Sequence, residues 1–348
     1  MTTAYRDPHP HPHPHPHPHP SRSPGHAALH LARAAALAPS PHNVQPWFFA
    51  EEGRDRGFEV HADPGRRLLL TDPGGRQAVL ACGAALFNVR VAVRHLGFRP
   101  VVDVLPVPGR PGFLARVGFG AHAGATRREE RMARAIGHRR THRGRFASWA
   151  MPEYLLDDLR TQARAEGAEL QPVDSPDRLE LLADLVRTAE DRHRVDPGHA
   201  AELARCVGAR GLPAEACLGH PDLTLLAGRD YLGLAHRYTV PVPVRSRRAG
   251  TGTVFVLSTP GDGRADWLRA GQALQRVLLY AAARDVVAAF HTQPLELPAM
   301  RAEVRAWFTP GRFPQVVLRL GHAAPAPRLP RRPLGSLLVP ESALALGR

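Results

Sequence analysis

The chain has no lysine, so all 46 of its lysine-or-arginine positions are arginine. A formal charge of +14 would by itself raise nucleic acid as a partner. The arginines, however, are scattered and interleaved with Asp and Glu. Together with the alanine, glycine and proline excess, they read as a GC-rich codon bias and as solvated helix faces, so no nucleic-acid partner is expected. Cysteine is also scarce. Cys82, Cys206 and Cys217 are too few and too scattered for a disulfide framework or a CxxC zinc site, and are expected to be buried small hydrophobes. No apolar run approaches the roughly 20 residues that span a bilayer, so no membrane partner is expected. The N-terminus lacks a signal-peptide apolar region, which makes a cytoplasmic protein the expectation. There is no GxGxxG, no P-loop and no Gly-x-Ser-x-Gly elbow, which removes support for a classical dehydrogenase, an NTPase or an α/β-hydrolase.

What remains is 348 residues with 43% hydrophobic content, enough for two ordinary domains or one large one. Residues 1–24 hold six consecutive His-Pro pairs from His9 to Pro20. Proline at every second position forbids helix and paired strand, so this is read as a disordered, extended arm outside the fold. Its histidines could hold nickel, copper or zinc weakly, and no metal site is expected in the fold. Helices are expected at 26–37, 76–96, 126–138, 152–166, 175–195 and 266–284. Strands are expected at 58–62, with 66–70 as its hairpin partner, and at 101–105, 113–119, 168–173, 252–258 and 315–320. Residues 199–248 are poorly patterned and read as an excursion able to cover a site. The small residues Ala81, Gly83, Ala84 and Ala85 predict close packing of the 76–96 helix. Its segment from Cys82 to Val89 can be laid over that from Ala270 to Val277, with glycine, alanine, leucine and valine coinciding, as an internal duplication would produce.

Two stretches carry chemistry. From Pro39 to Trp47, three prolines make a stiff loop that presents the Ser40 hydroxyl and the amides of Asn43 and Gln45. Alone, it is equally a proline-rich turn anchored by Trp47 and Phe48, or a binding loop for a flat heterocycle. Arg139-Arg140-Thr141-x-Arg143 gathers three guanidiniums and a hydroxyl. It is either a charged helix end or a phosphate grip, since the guanidinium fork meets phosphate oxygens in pairs.

Pro39-Ser40-x-x-Asn43-x-Gln45-Pro46-Trp47 resembles the flavin-contacting loop of the nitroreductase superfamily. Arg139, Arg140, Thr141 and Arg143 match position by position the Arg-Arg-Ser/Thr-x-Arg motif that holds the FMN phosphate and ribityl chain there. Arg331-Arg332-Pro333 resembles a second basic motif reaching the same phosphate. Gln293-x-x-Glu296-x-Pro298 with Arg301, and Pro314-Gln315-x-x-x-Arg319-x-Gly321, look like the Acg branch, in which one long chain carries two nitroreductase-like halves. The resemblance implies an α+β fold in which each half is a mostly antiparallel sheet flanked by helices, the halves forming an intramolecular pseudo-dimer. It divides the chain into 25–125 with the ring loop, 126–338 with the phosphate grip, and a tail at 339–348.

The loop precedes the basic motif here, the reverse of ordinary nitroreductases. A fused pseudo-dimer explains that order, with one complete FMN site and a degenerate symmetry mate. Pro39, Ser40, Asn43 and Gln45 are assigned to the ring and ribityl side, with donors from Asn43 or Gln45 at the N1–C2=O edge. Asp285 stands where the family usually has glycine. The activity implied is FMN-dependent, NAD(P)H-driven ping-pong reduction of a nitroaromatic, quinone or similar small acceptor at flavin N5; the alternative is FMN sequestration with little turnover. The chemistry resides on the flavin, so no catalytic residue is assigned. His42 and His291 are either proton-delivery groups or structural. The protein is expected as a monomeric pseudo-dimer or a homodimer.

Overall fold

A computed structural model describes residues 24–208, 211–217, 223–233, 244–324 and 326–339. The His-Pro arm and most of the 339–348 tail lie outside them. In chain order the elements are α1 (His26–Ala36), β1 (Trp47–Glu52), α2 (Gly53–Arg56), β2 (Gly57–Ala62), α3 (Arg76–His95), β3 (Phe98–Val104), β4 (Phe113–His122), α4 (Arg127–Ile136) and α5 (Glu153–Arg164). They continue with β5 (Glu169–Pro172), α6 (Pro176–Val195), α7 (Pro197–Arg205), α8 (Val244–Ala249), β6 (Thr253–Thr259), α9 (Arg264–Ala282), β7 (Val287–Phe290), α10 (Pro298–Phe308), β8 (Phe313–Gly321) and β9 (Leu338–Val339). Two sheets form, in the orders β3-β4-β2-β1-β9 and β5-β6-β8-β7. All pairings are antiparallel except β1 with β9.

The first sheet packs its apolar face on α1 and α3, where Trp47, Phe49, Phe58 and Leu114 meet Leu31 and Leu86. The second is covered on both faces, by α4, α5 and α9 on one side and by α6 and α10 on the other. Burial on both faces is why β6 and β8 read as continuous apolar runs rather than alternating ones. Between the sheets lie α3 and α9. By length and composition α3 is apolar enough to cross a membrane, but its apolar surface is spent on α9 and the first sheet.

The crossing of α3 and α9 depends on two glycines. A Cβ on Gly83 would sit 2.2 Å from the Leu268 carbonyl oxygen, and one on Gly271 would sit 1.9 Å from the Leu80 carbonyl oxygen. The contacts are reciprocal: each glycine meets the carbonyl three residues before the other. The duplication seen in the sequence is therefore a pseudo-twofold in space, with the α+β halves arranged as an intramolecular pseudo-dimer. In that superposition, Ala81 corresponds to Arg269, and the loop after α1 corresponds to the turn after α5. There Gly167 lies against the Arg269 side chain, and Glu166 is paired with Arg90 at 2.6 Å and Arg276 at 2.9 Å.

Four expectations are corrected. Residues 66–70 form no strand; β2 pairs instead with β1 and β4, and β1 was hidden because Trp47 and Phe48 read as a loop anchor. β7 and α10 were not anticipated, since each lies in a stretch dominated by its motif residues. Arg331 and Arg332 are not in an exposed tail: the chain leaves β8, returns to the first half and forms β9 beside β1. Cys217 is half-exposed rather than buried. Asp285 has φ 58°, a left-handed conformation that explains why glycine suits this position and why Asp is tolerated.

Gly271→Val places methyl groups inside a backbone contact and is expected to destabilise the protein by about 1–3 kcal/mol. Gly74→Ala, where a Cβ meets nothing within 4 Å, should stay within about 0.5 kcal/mol. Urea midpoints of the two variants decide the matter.

Candidate functional site

The loop between α1 and β1 is strained. Pro39 ends α1, and a single 3-10 turn spans Pro41–Asn43. His42, Asn43 and Gln45 all have positive φ, at 47°, 60° and 52°, a region that costs a non-glycine residue about 1–2 kcal/mol. Contacts from the C-terminal segment hold them there. Arg332 donates its backbone N–H to Gln45 Oε1 (2.9 Å) and its guanidinium to the carbonyls of Gln45 (3.1 Å), Trp47 (2.8 Å) and Ser336 (2.9 Å). Arg331 donates to Asn43 Oδ1 at 2.6 Å. Asn43 Nδ2 donates to the carbonyls of Gly211 and Pro330, each at 3.0 Å. Ser40 Oγ accepts from the Gln45 N–H at 3.0 Å.

The second stretch runs along the edge of the other sheet. Thr141 bridges Ala288 of β7, and the His142 N–H donates to the Ala288 carbonyl at 2.7 Å. This register turns Arg139 inward, where it is 6% exposed. Burial and the neighbouring Arg331, Arg140 and Arg143 push its pKa down to about 9. Burial and Arg140 likewise push Arg331 down to about 10. Both stay cationic at neutral pH. Among the described residues none of Arg139, Arg140, Arg143 and Arg331 forms a salt bridge, and Nε of both Arg139 and Arg331 lacks a hydrogen-bond partner. Buried and half-buried cations gathered without a carboxylate, with donors unspent, are chemically able to take an anion.

The two stretches meet in one cleft of about 1380 Å³, counting its open mouth. Pro39, Ser40, His42 and Asn43 line one side, Arg139, Thr141, Arg143 and Arg331 another, and Leu80, Ala81 and Leu274 of the crossed helices a third. The opposite wall carries Phe290, His291 and Arg319. His291 Nδ1 lies 2.9 Å from the Ala227 carbonyl, so it donates there, and Nε2 accepts from Arg319 Nε at 2.7 Å. Arg319, 2% exposed, also donates to the Thr251 carbonyl at 2.9 Å and stacks on Phe146 at 4.8 Å. Burial pushes its pKa down to about 9.

The described part of the unpatterned segment lies over this cleft, which Cys217, Thr224, Leu226, Arg229 and Tyr231 line. Arg229 fastens it: the guanidinium bonds both oxygens of the buried Glu296 and lies 3.1 Å from His193 Nδ1 and 3.8 Å from Glu190. His193 stacks on His199 with centroids 4.0 Å apart. His193, His199 and Glu296 are spaced closely enough to hold a metal ion, but Arg229 supplies the cation there.

Of the residues singled out from the sequence, Pro39, Ser40, Asn43, Arg139, Thr141, Arg143 and Arg331 come together on the cleft wall. Gln45 and Arg332 lie behind it, bonded to each other. Arg140 turns back to the carbonyls of Gly137 and Arg139 at the end of α4. The expected donors at a ring edge are otherwise engaged: both Asn43 amide hydrogens are donated within the protein, and Gln45 Nε2 faces the Asn43 carbonyl at 3.3 Å. Arg229 and Tyr231 escaped the sequence reading because nothing periodic surrounds them and their partners lie far off in the chain.

Burial, then Arg229, pushes His193 down to about 3 and His199 to about 4; burial also lowers His42 and His291 well below the ordinary value. The unfolded chain therefore takes protons first as pH falls below about 6.5, so stability is full above that pH and is lost on acidification. Each such histidine contributes up to about 1.4 kcal/mol per pH unit. The urea midpoint should fall steeply from pH 7 to pH 4, and His199→Asn should flatten the fall.

No protein-family profile matches the chain. It is 33% identical over 309 residues to "Putative NAD(P)H nitroreductase acg" of Mycobacterium tuberculosis, covering 86% of this chain and 91% of that one. It is 32% identical to "Putative NAD(P)H nitroreductase Rv3131" of the same organism, covering 87% and 88%. Among solved structures, the FMN-dependent nitroreductase NfnB from Mycobacterium smegmatis in complex with NADPH shares 18% identity at a TM-score of 0.38, over 60% of this chain and 96% of that one. That likeness is too slight to bear on the site. With a third of its residues shared along nearly the whole length of these relatives, the chain belongs to the Acg-like branch of the nitroreductase family.

Proposed function

We propose that the cleft binds FMN and that the protein is an NAD(P)H-driven oxidoreductase reducing a small electron-poor acceptor, of the nitroaromatic or quinone class, by two-electron ping-pong turnover. The observation that carries this reading is the set of Arg139, Arg143 and Arg331, buried or half-buried without a carboxylate, beside a cleft floored by apolar helix residues. Arg139 and Arg331 still have unspent Nε donors, which suits a phosphate dianion. Bound FMN would supply the redox chemistry, taking hydride from the nicotinamide and passing it to the acceptor. The chain's own part is to hold and orient. Arg139, Thr141, Arg143 and Arg331 would grip the phosphate and ribityl chain, while Pro39, Ser40 and Asn43 shape the ring side. Gln45, Arg332 and Arg140 brace those residues from behind. Leu80, Ala81 and Leu274 exclude water from one ring face. We read Arg319, a fixed cation without a carboxylate partner, as favouring negative charge on what the cleft holds. With both halves in one chain, the site needs no second subunit.

A second reading, FMN sequestration with little turnover, is favoured by one observation: residues over the cleft are fastened through Arg229 to the buried Glu296. Reduction separates the two. The purified protein, loaded with FMN and mixed anaerobically with NADPH, should lose its flavin absorption if it is a reductase and keep it if it is a store. Arg139→Met should weaken FMN binding at least about 100-fold, as loss of a charge-assisted bidentate contact predicts, while raising the melting temperature of cofactor-free protein by relieving cation repulsion. Unchanged FMN affinity in this variant would remove the phosphate from this site.

A further inference from the structure

We propose that His42 and Tyr231 form a proton relay serving the acceptor in this cleft, His42 Nε2 giving the proton and the Tyr231 hydroxyl, 2.9 Å from His42 Nδ1, replacing it. The relay rests on reading the cleft as an FMN-dependent reductase, and it narrows the substrate to acceptors whose two-electron reduction leaves an oxyanion, quinones foremost.

Elimination points to His42. The described lining of the cleft contains no Asp or Glu. Its other histidines are tied: His291 uses both ring nitrogens, on the Ala227 carbonyl and Arg319, and His142 Nε2 is held by the Arg145 carbonyl at 2.9 Å. Burial raises the Cys217 thiol. His42 Nε2 is buried without a partner among the described residues, a state that costs about 1–3 kcal/mol unless something in the cleft accepts from it. Its position is not loose. Pro41 precedes it, its own φ is 47°, and Asn43 after it is fastened by three side-chain hydrogen bonds.

Tyr231 sets which tautomer the relay needs. Burial pushes its pKa up to about 12, so at neutral pH it carries its proton, and among the described residues its hydroxyl has His42 Nδ1 as hydrogen-bond partner. The relay requires the hydroxyl to donate to Nδ1, which leaves the single proton of the neutral imidazole on Nε2, the ring nitrogen without a partner among the described residues. The ring meets Tyr231 edge-on, with centroids 5.4 Å apart and planes at 78°.

The step balances. A quinone that receives hydride from the nicotinamide by way of the flavin becomes a hydroquinone mono-anion. Its oxygen gains a proton as the His42 Nε2–H bond breaks, while the Tyr231 O–H bond breaks and an Nδ1–H bond forms. The phenolate left behind feels the positive charges of Arg143 and Arg229; once product leaves, solvent returns a proton to Nε2 as the Nδ1–H bond breaks and the Tyr231 O–H bond re-forms, which restores the starting pair. The sum is one quinone, one hydride and one proton giving one hydroquinone.

Stopped-flow spectroscopy of the FMN-loaded protein separates the half-reactions: bleaching by NADPH, then return of colour with a benzoquinone. Tyr231→Phe should slow the second about 10-fold or more, well beyond any change in bleaching, and change its solvent deuterium isotope effect and pH profile. His42→Asn should slow it about 100-fold, at the lower end of general-acid effects. In cofactor-free protein, 15N NMR should find His42 protonated on Nε2. Colour returning at the wild-type rate in both variants, a proton on Nδ1, or equal slowing of both half-reactions with weaker FMN binding would each overturn the relay. The last would mean that the pair merely holds the covering segment. Wild-type protein that takes no flavin or does not bleach overturns the reductase reading and the relay with it.

Discussion

Everything in this molecule is built around backbone meeting backbone where α3 crosses α9. Gly83 and Gly271 leave no room for a side chain on either helix, so the axes approach to a separation that any larger residue would forbid. Close-packed interiors do not absorb such a change. The contact fixes the two sheets relative to each other, and with them the loop after α1 and the arginine stretch after α4, which come from different halves. The cleft exists because that crossing brings their ends together over Leu80, Ala81 and Leu274.

The same near-symmetry relates the loop after α1, at the open cleft, to the short turn after α5. A long proline loop after α1 leaves space beside Ala81. The short turn after α5 sits against Arg269, and Glu166 there pairs with Arg90 and Arg276. The open cleft carries the electrostatic load. Arg139, Arg331 and Arg319 are held in low-dielectric surroundings without acids, an arrangement that weakens the protein alone and strengthens it when an anion arrives. Strain is placed there too, in His42, Asn43 and Gln45, and the returning C-terminal segment holds it. The opposite balance applies over the mouth, where Arg229 has its carboxylates and locks the covering residues down.

Much of this was legible in order along the chain. The helices of residues 76–96 and 266–284 were legible in the sequence, and their shared glycine, alanine, leucine and valine pointed to a duplication. The spacing of Ser40, Asn43 and Gln45, and of Arg139, Thr141 and Arg143, marked the two stretches that meet. Less legible were elements whose pattern is masked by other demands. β1 begins inside the loop motif, β7 is short, and α10 begins at Pro298 in a stretch read for its motif residues. The return of Arg331 and Arg332 could not be seen, because a basic stretch near the end of a chain looks like a solvated tail until its hydrogen-bond partners are known.

The sequence by itself determined the local vocabulary: where helices start and stop, which loop is stiff, which residues can grip a phosphate, and the family these motifs resemble. Local rules suffice for that, since prolines, glycine stops and apolar spacing act within a few residues. Only the tertiary structure decided what each polar group does. Asn43 and Gln45 looked like cofactor donors, and their amides turned out to fasten the loop to Gly211, Pro330 and Arg332. His42 and Tyr231, 189 residues apart in the chain, became a hydrogen-bonded pair. A side chain's role depends on which of its donors and acceptors remain unspent, and those are counted in space, among partners far apart in sequence.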